Sequence, residues 1–174
     1  MNTLILMCGL PRSGKTTIAR KMGHPIVNPD SIRRALHGHR YVAQSEPYVW
    51  AIAKTMVESL FMAGHETVVV DATNTTEKRR DFWNARAIPV ASKQEEFPKE
   101  AVFSFPVWKR YVYFVDTDPE ECMRRASEQR DYEIQPVIER MAAQFEYPEE
   151  IEAYSITRSC EPEDGWWCKR SATS

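Results

Sequence analysis

The feature that most constrains this chain is the run Leu4-Ile-Leu-Met-Cys8 leading into Gly9-Leu-Pro-Arg-Ser-Gly14-Lys15-Thr16-Thr17. Five apolar residues read as a buried strand, Gly9 opens a loop, and Gly14-Lys15-Thr16 opens a helix. This is the spacing of a phosphate-binding loop, in the strand-then-helix context the motif requires. Glycines let the backbone curl so that successive N–H groups face an anion. The positive N-terminal end of the following helix faces the same anion. Lys15 reaches the β- and γ-phosphates, and the Thr16 hydroxyl can ligate Mg²⁺. Gly9, Pro11, Arg12, Ser13, Gly14, Lys15, Thr16 and Thr17 are therefore the expected nucleotide-binding residues. The expected ligands are ATP, or another nucleoside triphosphate, and Mg²⁺.

A chain of 174 residues suits one domain with a real core, so 1–174 is read as a single unit. Its net charge of −2 argues against a protein that coats nucleic acid through bulk charge, and leaves room for an enzyme that grips one strand end. No apolar run approaches the ~20 residues of a membrane span. The stretch Leu4–Cys8 is too short, and lacks the basic flank, for a secretory leader. The expected location is cytoplasmic. Cys8, Cys122, Cys160 and Cys168 have no metal-binding spacing. Cys8 and Cys122 read as small core fillers; a Cys160–Cys168 bridge is the alternative to free thiols, which a cytoplasmic location favours.

Taken in order, Lys15–Met22 is predicted as a helix, ended by Gly23 and Pro25. Ile26–Asn28 reads as a second strand, and Pro29-Asp30-Ser31 opens a helix to about Leu36. A helix starting at Ser45-Glu46-Pro47 carries Val49, Trp50, Ala53, Met56, Val57, Leu60 and Phe61 at helical spacing, closed by Gly64. Thr67–Asp71 is an all-apolar strand ending in an acid, buried on both faces. Asn74-Thr-Thr-Glu77 fits a capping pattern for a helix to about Ala87. Residues 88–108 read as a loop or insertion, with a short strand at Ala101–Phe105. Tyr111–Val115 is the next strand. Asp118-Pro119-Glu120-Glu121 starts a helix with a cap, a proline and two first-turn acids. A last helix runs from Val137 to about Phe145, and 157–174 is a tail containing Trp166-Trp167. Strands alternating with helices imply an α/β fold: a three-layer α/β/α sandwich on a mainly parallel sheet.

Sites in such sheets lie beyond the carboxyl ends of the strands. Asp30 follows the second strand, with Arg33 one helical turn on, on the same face. An acid there is placed to take a proton from an attacking hydroxyl, and a guanidinium fork beside it matches an acceptor phosphate. Between Arg33 and Arg40 lie three arginines, two histidines and no acid, which favours a phosphate-bearing acceptor. Asp71 is expected either to hold magnesium together with Thr16 or to orient Arg33. In a stretch read as a lid over 124–135, Arg125 and Arg130 are candidates to neutralise charge on the moving γ-phosphoryl group, and Arg125 to touch nucleotide. Such arginines contribute ~10³–10⁵ in rate, against ~10²–10⁴ for a general base. Arg124 is expected to pair with Glu128 instead.

These pieces together resemble the polynucleotide 5′-hydroxyl kinase family, a branch of the P-loop kinases. The matching motifs are Gly9–Thr17, Asn28-Pro-Asp30-Ser-Ile-Arg33, Asp71-Ala-Thr-Asn74 with Arg79-Arg80, and Arg125 to Arg130 followed by Pro136-Val-Ile-Glu-Arg-Met141. The resemblance implies transfer of the γ-phosphate of ATP to a 5′-hydroxyl end of a nucleic acid or a nucleotide. It implies Asp30 as base, Arg33 as clamp on the adjacent phosphate, Lys15 on the triphosphate and Arg130 as lid arginine. Arg33, Asp71, Thr73 and Arg79 form the expected acceptor-binding set. Two departures stand out: Arg125 and Arg130 are five residues apart where the family has four, and 88–108 is long. A small-molecule or nucleotide-sugar kinase shares the same scaffold, and a non-enzymatic nucleotide-binding module is the third reading.

Overall fold

The computed structural model describes residues 1–38, 40–84, 106–149 and 153–158. β1 (Asn2–Cys8) lies at the centre of one sheet, with β3 (Thr67–Val70) and β4 (Trp108–Asp116) parallel to it on either side. β2 (Ile26–Val27) adds outside β3, and β5 (Ala153–Arg158) outside β4, so the order is β2-β3-β1-β4-β5. Every pairing is parallel. The apolar run that reads as a strand does so because both of its faces are covered. Leu4 and Leu6 join Val27, Val68 and Val70 on one side; Ile5 and Met7 join Val69 and Val115 on the other.

The covering layers are helical. α2 (Pro29–His37) and α3 (Glu46–Met62) bring Ile32, Val49, Ala53, Val57 and Phe61 onto the Leu4 face. α1 (Lys15–Lys21) brings Ala19, flanked by Ile18 and Met22, onto the Ile5 face. This is the three-layer α/β/α sandwich that the sequence predicts. Each fully buried Leu or Val contributes about 1.5–3 kcal/mol. Truncating Leu6 to Ala beneath the loop would cost about 2–5 kcal/mol. Among the described residues no helix is long and apolar enough to cross a membrane. Cys8 and Cys122 are buried thiols outside any disulfide, as expected of core fillers; Cys160, Cys168, Trp166 and Trp167 lie outside the described residues.

Four local expectations need correction. α4 is only Glu77–Asp81, capped by Thr76 rather than Asn74. It stops early because its trailing carbonyls are claimed from a distance. Lys54 Nζ donates to the Phe82 and Asn84 carbonyls at 2.9 and 3.0 Å, and Trp108 Nε1 donates to the Trp83 carbonyl at 2.9 Å. Asn74 serves as a buried strut, donating to the Met7 carbonyl at 2.8 Å and accepting from Trp83 Nε1 at 3.1 Å. Trp108, placed at the end of the insertion by sequence, begins β4; the strand expected at 101–105 lies outside the described residues. β5 has no counterpart in the sequence reading, although Tyr154-Ser-Ile-Thr157 alternates with period two.

α5 (Pro119–Glu128) starts as its sequence dictates, with Asp118 accepting from the Glu120 N–H at 2.8 Å. A turn through Gln129–Asp131 and a 3₁₀ segment, Tyr132–Ile134, lead into α6 (Gln135–Ala143). α5 and α6 meet through Cys122, Ala126 and Ile138, with Leu10 of the loop in the same cluster. α5 and α6 are thus packed directly on the phosphate loop.

Candidate active site

The loop after β1 is built around two glycines. Gly9 has φ +147°, and a Cβ on it would meet the Val115 carbonyl oxygen at 2.7 Å. Gly14, φ +101°, caps α1 in the left-handed region. The loop is tied on both sides. Gly9 N–H donates to the Thr73 carbonyl at 2.9 Å, and Thr117 Oγ1, just past β4, donates to the Ser13 carbonyl at 2.9 Å. Thr73, expected to touch the acceptor, thus acts here through its backbone on the loop.

Lys15 is buried, with Nζ 2.5 Å from the Leu10 carbonyl and 3.3 Å from Ser13 Oγ. Burial pushes its pKa down to about 8, opposed by the negative charges of Asp71 and, more weakly, Asp30. A buried ammonium held only by neutral groups is poised for a polyphosphate. Thr16 Oγ1 donates to Asp71 Oδ2 at 2.8 Å, and Asn28 Nδ2 donates to the same oxygen at 2.9 Å. Asn28 also caps α2, accepting from the Ser31 N–H at 2.9 Å. One side chain therefore sets the entry of α2 and the direction of the Asp71 carboxylate. With the cap taken by Asn28, Asp30 has no capping duty and stands 69% exposed in the first turn.

Asp71 faces Thr16 rather than Arg33, so of its two expected roles the geometry fits magnesium. A hydroxyl and a carboxylate side by side are hard oxygen donors suited to Mg²⁺, which takes its remaining ligands from phosphate and water. Among the described residues there is no cluster of three or more His, Cys, Asp or Glu that could hold a metal by itself.

Arg33 is oriented by a residue that the sequence reading treated only as a helix start. Glu46 accepts from Arg33 Nε at 2.6 Å and from Nη2 at 2.8 Å, while Asp30 accepts from Nη1 at 2.6 Å. The Glu46 bonds push the Arg33 pKa up and hold the Glu46 carboxyl below its usual range. Trp50 Nε1 donates to Glu46 Oε2 at 3.0 Å, and Arg79 stacks over the Trp50 ring, 4.5 Å from its centroid. Arg33 also lies against that ring, 5.7 Å from its centroid, so Trp50 joins the two arginines. Arg80 is buried and donates to the Glu146 carbonyl at 2.8 Å, a structural contact.

The acid-free stretch from Arg33 to Arg40 is neutralised from elsewhere. Arg33 has Glu46, and Arg40 pairs with Asp131 at 2.7 and 3.1 Å. Arg40 holds the Asp131 carboxyl below its usual range, aided by Arg12, which pairs with Asp131 and Gln129. Asp131 thus joins the phosphate loop, the turn after α5 and the segment after α2. The argument from uncompensated positive charge fails at these two arginines.

The three arginines expected in a lid have different partners. Arg124 pairs with Glu121 and with Glu128, the latter as expected. Arg125 pairs with Glu121 at 2.6 Å and donates from Nη1 to the Arg12 and Ser13 carbonyls at 3.3 Å, bracing the loop from its carbonyl side. Arg130 sits at φ +54°, exposed, with no ion-pair partner among the described residues. Of Arg124, Arg125 and Arg130, it is the one without an ion pair among the described residues. Asn28, Glu46, Trp50, Thr117 and Asp131 were missed by sequence reasoning; only Asn28, inside a quoted motif and ahead of Pro29, carried a local signal.

The profile of the AAA domain family matches residues 4–148. No curated protein matches the chain in sequence. Among solved structures, a gluconokinase from Sinorhizobium meliloti aligns at 16% identity and TM-score 0.55, over 92% of this chain and 84% of that one. A sugar kinase from Janibacter sp. aligns at 18% and 0.56, over 91% and 85%. A chain of the Pnkp1/Rnl/Hen1 complex aligns at 20% and 0.53, over 71% of this chain and 38% of that one. At these identities the likeness is one of fold. The chain belongs to the AAA domain family and has the fold of the P-loop kinases.

Proposed function

We propose that this protein transfers the γ-phosphate of ATP to the 5′-hydroxyl of a polynucleotide end or a nucleotide. The observation that carries the proposal is the set Asp30, Arg33 and Glu46, joined by hydrogen bonds to the Arg33 guanidinium just beyond β2. In this reading the acceptor oxygen attacks the γ-phosphorus and its proton passes to Asp30. The bond to the β–γ bridging oxygen breaks, with its electron pair leaving on ADP. Lys15 and Arg130 hold the charge of the phosphoryl group, and Arg33 binds a phosphate of the acceptor. Thr16 and Asp71 would hold Mg²⁺, which neutralises charge on the β- and γ-oxygens when bound. A cytoplasmic location goes with this reading, since its donor is ATP.

A small-molecule kinase is the second reading. One observation favours it: the gluconokinase and sugar kinase chains are covered over 84% and 85% of their length, against 38% and 47% for chains of two Pnkp1/Rnl/Hen1 complexes. Labelled ATP and Mg²⁺ offered with a 5′-hydroxyl oligonucleotide, a nucleoside 3′-monophosphate and a panel of sugars separates the two. Label on the nucleic acid or nucleotide supports the proposal. Label on a sugar alone supports the second reading, and no transfer supports a nucleotide-binding module.

A further inference from the structure

α3 is apolar on both of its sides. Towards the sheet it presents Val49, Ala53, Val57 and Phe61. Its three charged residues are also turned inward: Glu46 is held by Arg33, Lys54 Nζ donates to the Phe82 and Asn84 carbonyls, and Glu58 is buried. None of the exposed residues of α3 is charged. On that outer side Tyr48, Ile52, Met56 and Met62 stand 70%, 36%, 41% and 67% exposed. α5 is built the ordinary way, with Glu120, Arg124 and Glu128 turned to solvent. A helix that is apolar all round belongs where both sides are covered, and a contiguous apolar patch on the surface marks a contact. The outer residues Tyr48, Ile52, Thr55, Ser59 and Met62 lie four, three, four and three positions apart, the spacing by which one helix packs along another. They form a seam about 21 Å long. Thr55 Oγ1 donates to the Ala51 carbonyl at 3.0 Å, so the hydroxyl at the middle of the seam needs no partner from outside.

We propose that this face is where two copies of the chain meet, α3 lying antiparallel on α3 about a two-fold axis near Thr55. The inference goes beyond the kinase reading and does not depend on it. The face carries no cation, so it fits neither the phosphates of a nucleic acid nor an anionic membrane surface. With no charge of either sign, it meets itself without repulsion, as an isologous contact requires. About that axis Tyr48 of one copy falls against Met62 of the other, at both ends of the seam. The smaller Thr55 and Ser59 lie near the axis, where two helices come closest. Two such faces remove on the order of 1,000 Å² from water, the lower limit for specific pairing and well short of an obligate dimer. The dimer is therefore one that dissociates on dilution. The inner side of the same helix holds Glu46 and Trp50 beside Arg33, so pairing braces an element of the candidate site from behind.

The test is analytical ultracentrifugation of the full chain over a concentration series, without nucleotide, for the wild type, Thr55→Arg and Met62→Lys. The wild type should shift from the mass of one chain to that of two, with a dissociation constant on the order of 10 µM. Thr55→Arg sets two guanidinium groups against each other near the axis and should weaken pairing at least tenfold. Met62→Lys should weaken it less. Both positions are exposed, so Tm measured on the dilute monomer should not change. A second measurement reads the arrangement. Thr55→Cys should give a covalent dimer in copper phenanthroline, whereas Ala63→Cys, away from the axis, should give no more than the wild type under the same oxidant. A wild type that stays monomeric at ten times the expected dissociation constant would overturn the inference. So would a dimer indifferent to both charge substitutions, which would place the contact elsewhere. A fall in the Tm of the dilute Thr55→Arg chain would mean that the face is covered within one chain, and would overturn it too. Cross-linking at both positions, or at neither, would overturn the antiparallel two-fold arrangement.

Discussion

The donor side and the acceptor side of this cleft are built by different means. Around the triphosphate loop, backbone geometry does most of the holding: two positive-φ glycines, carbonyls bound by Thr117 and Arg125, and Lys15 sealed against the Leu10 carbonyl, with the Arg12–Asp131 ion pair at the loop's edge. Around Asp30 and Arg33, side-chain ion pairs do it, ranging from nearly buried at Glu46 to open at Asp30. A site made of backbone accepts one kind of ligand and tolerates little change. A site made of exchangeable ion pairs can respond to what enters it. On the proposed reading, nucleotide binding belongs to the loop and acceptor choice to the contact between α2 and α3.

The contrast breaks most visibly at the lid. Arg130→Ala is expected to lower kcat about 10³–10⁵-fold, as loss of an arginine finger does. Arg125→Ala should mainly weaken ATP binding by unbracing the Arg12 and Ser13 carbonyls. Single-turnover rates and equilibrium ATP binding measure the two, and the reverse ranking would exchange the roles of the arginines.

Gly9→Ala tests how rigid the donor side is. The added methyl meets the Val115 carbonyl oxygen at 2.7 Å. Overpacking of about 2 kcal/mol lowers Tm by about 4–8 °C for a domain of this size, with ATP binding lost. Asn28→Ala sharpens the comparison from the seam, because it removes the cap of α2 and one of the two bonds to Asp71 Oδ2 together. The expected cost is about 1–2 kcal/mol, read as a smaller Tm shift. An unchanged Tm would show that the acceptor helix is held without it.

The smallest effect is a proton. Lys15 has its pKa lowered to about 8 by burial, so above that pH the free protein carries it increasingly neutral. A bound polyphosphate favours the ammonium and raises the pKa again. ATP binding should therefore take up a fraction of a proton at pH 8.5–9 and close to none at pH 6.5–7, with affinity falling as pH rises above 8. Calorimetry in buffers of different ionisation enthalpy reads the uptake, and Lys15→Met should abolish it. Uptake unchanged in that variant would assign the proton elsewhere.

The same division decides what could be read in the chain. Gly9 to Thr17 is contiguous and chemically constrained at nearly every position, so the loop, the strand before it and the helix after it were legible, as was the Asp118-Pro119 helix start. Asp30 and Arg33 were legible as a pair one turn apart. Their setting was not. Glu46 lies thirteen residues from Arg33 and opens another helix, and Asp131 reaches Arg12 across the length of the domain. α4 misled for a related reason: Lys54 and Trp108 claim the carbonyls that a longer helix would have used. Asn74 fitted a cap by spacing alone, yet burial between β1 and Trp83 gave its amide other partners. Contacts made across the fold leave no local period or cap to read.

The most direct measurement is single-turnover transfer from ATP to a 5′-hydroxyl oligonucleotide by the wild type and Asp30→Asn, at matched ATP occupancy. The account expects ATP affinity to be retained and the transfer rate to fall about 10²–10⁴-fold, the range for loss of a general base. A variant that transfers at near wild-type rate would contradict it, and Asp30 would then be no more than an exposed partner of Arg33.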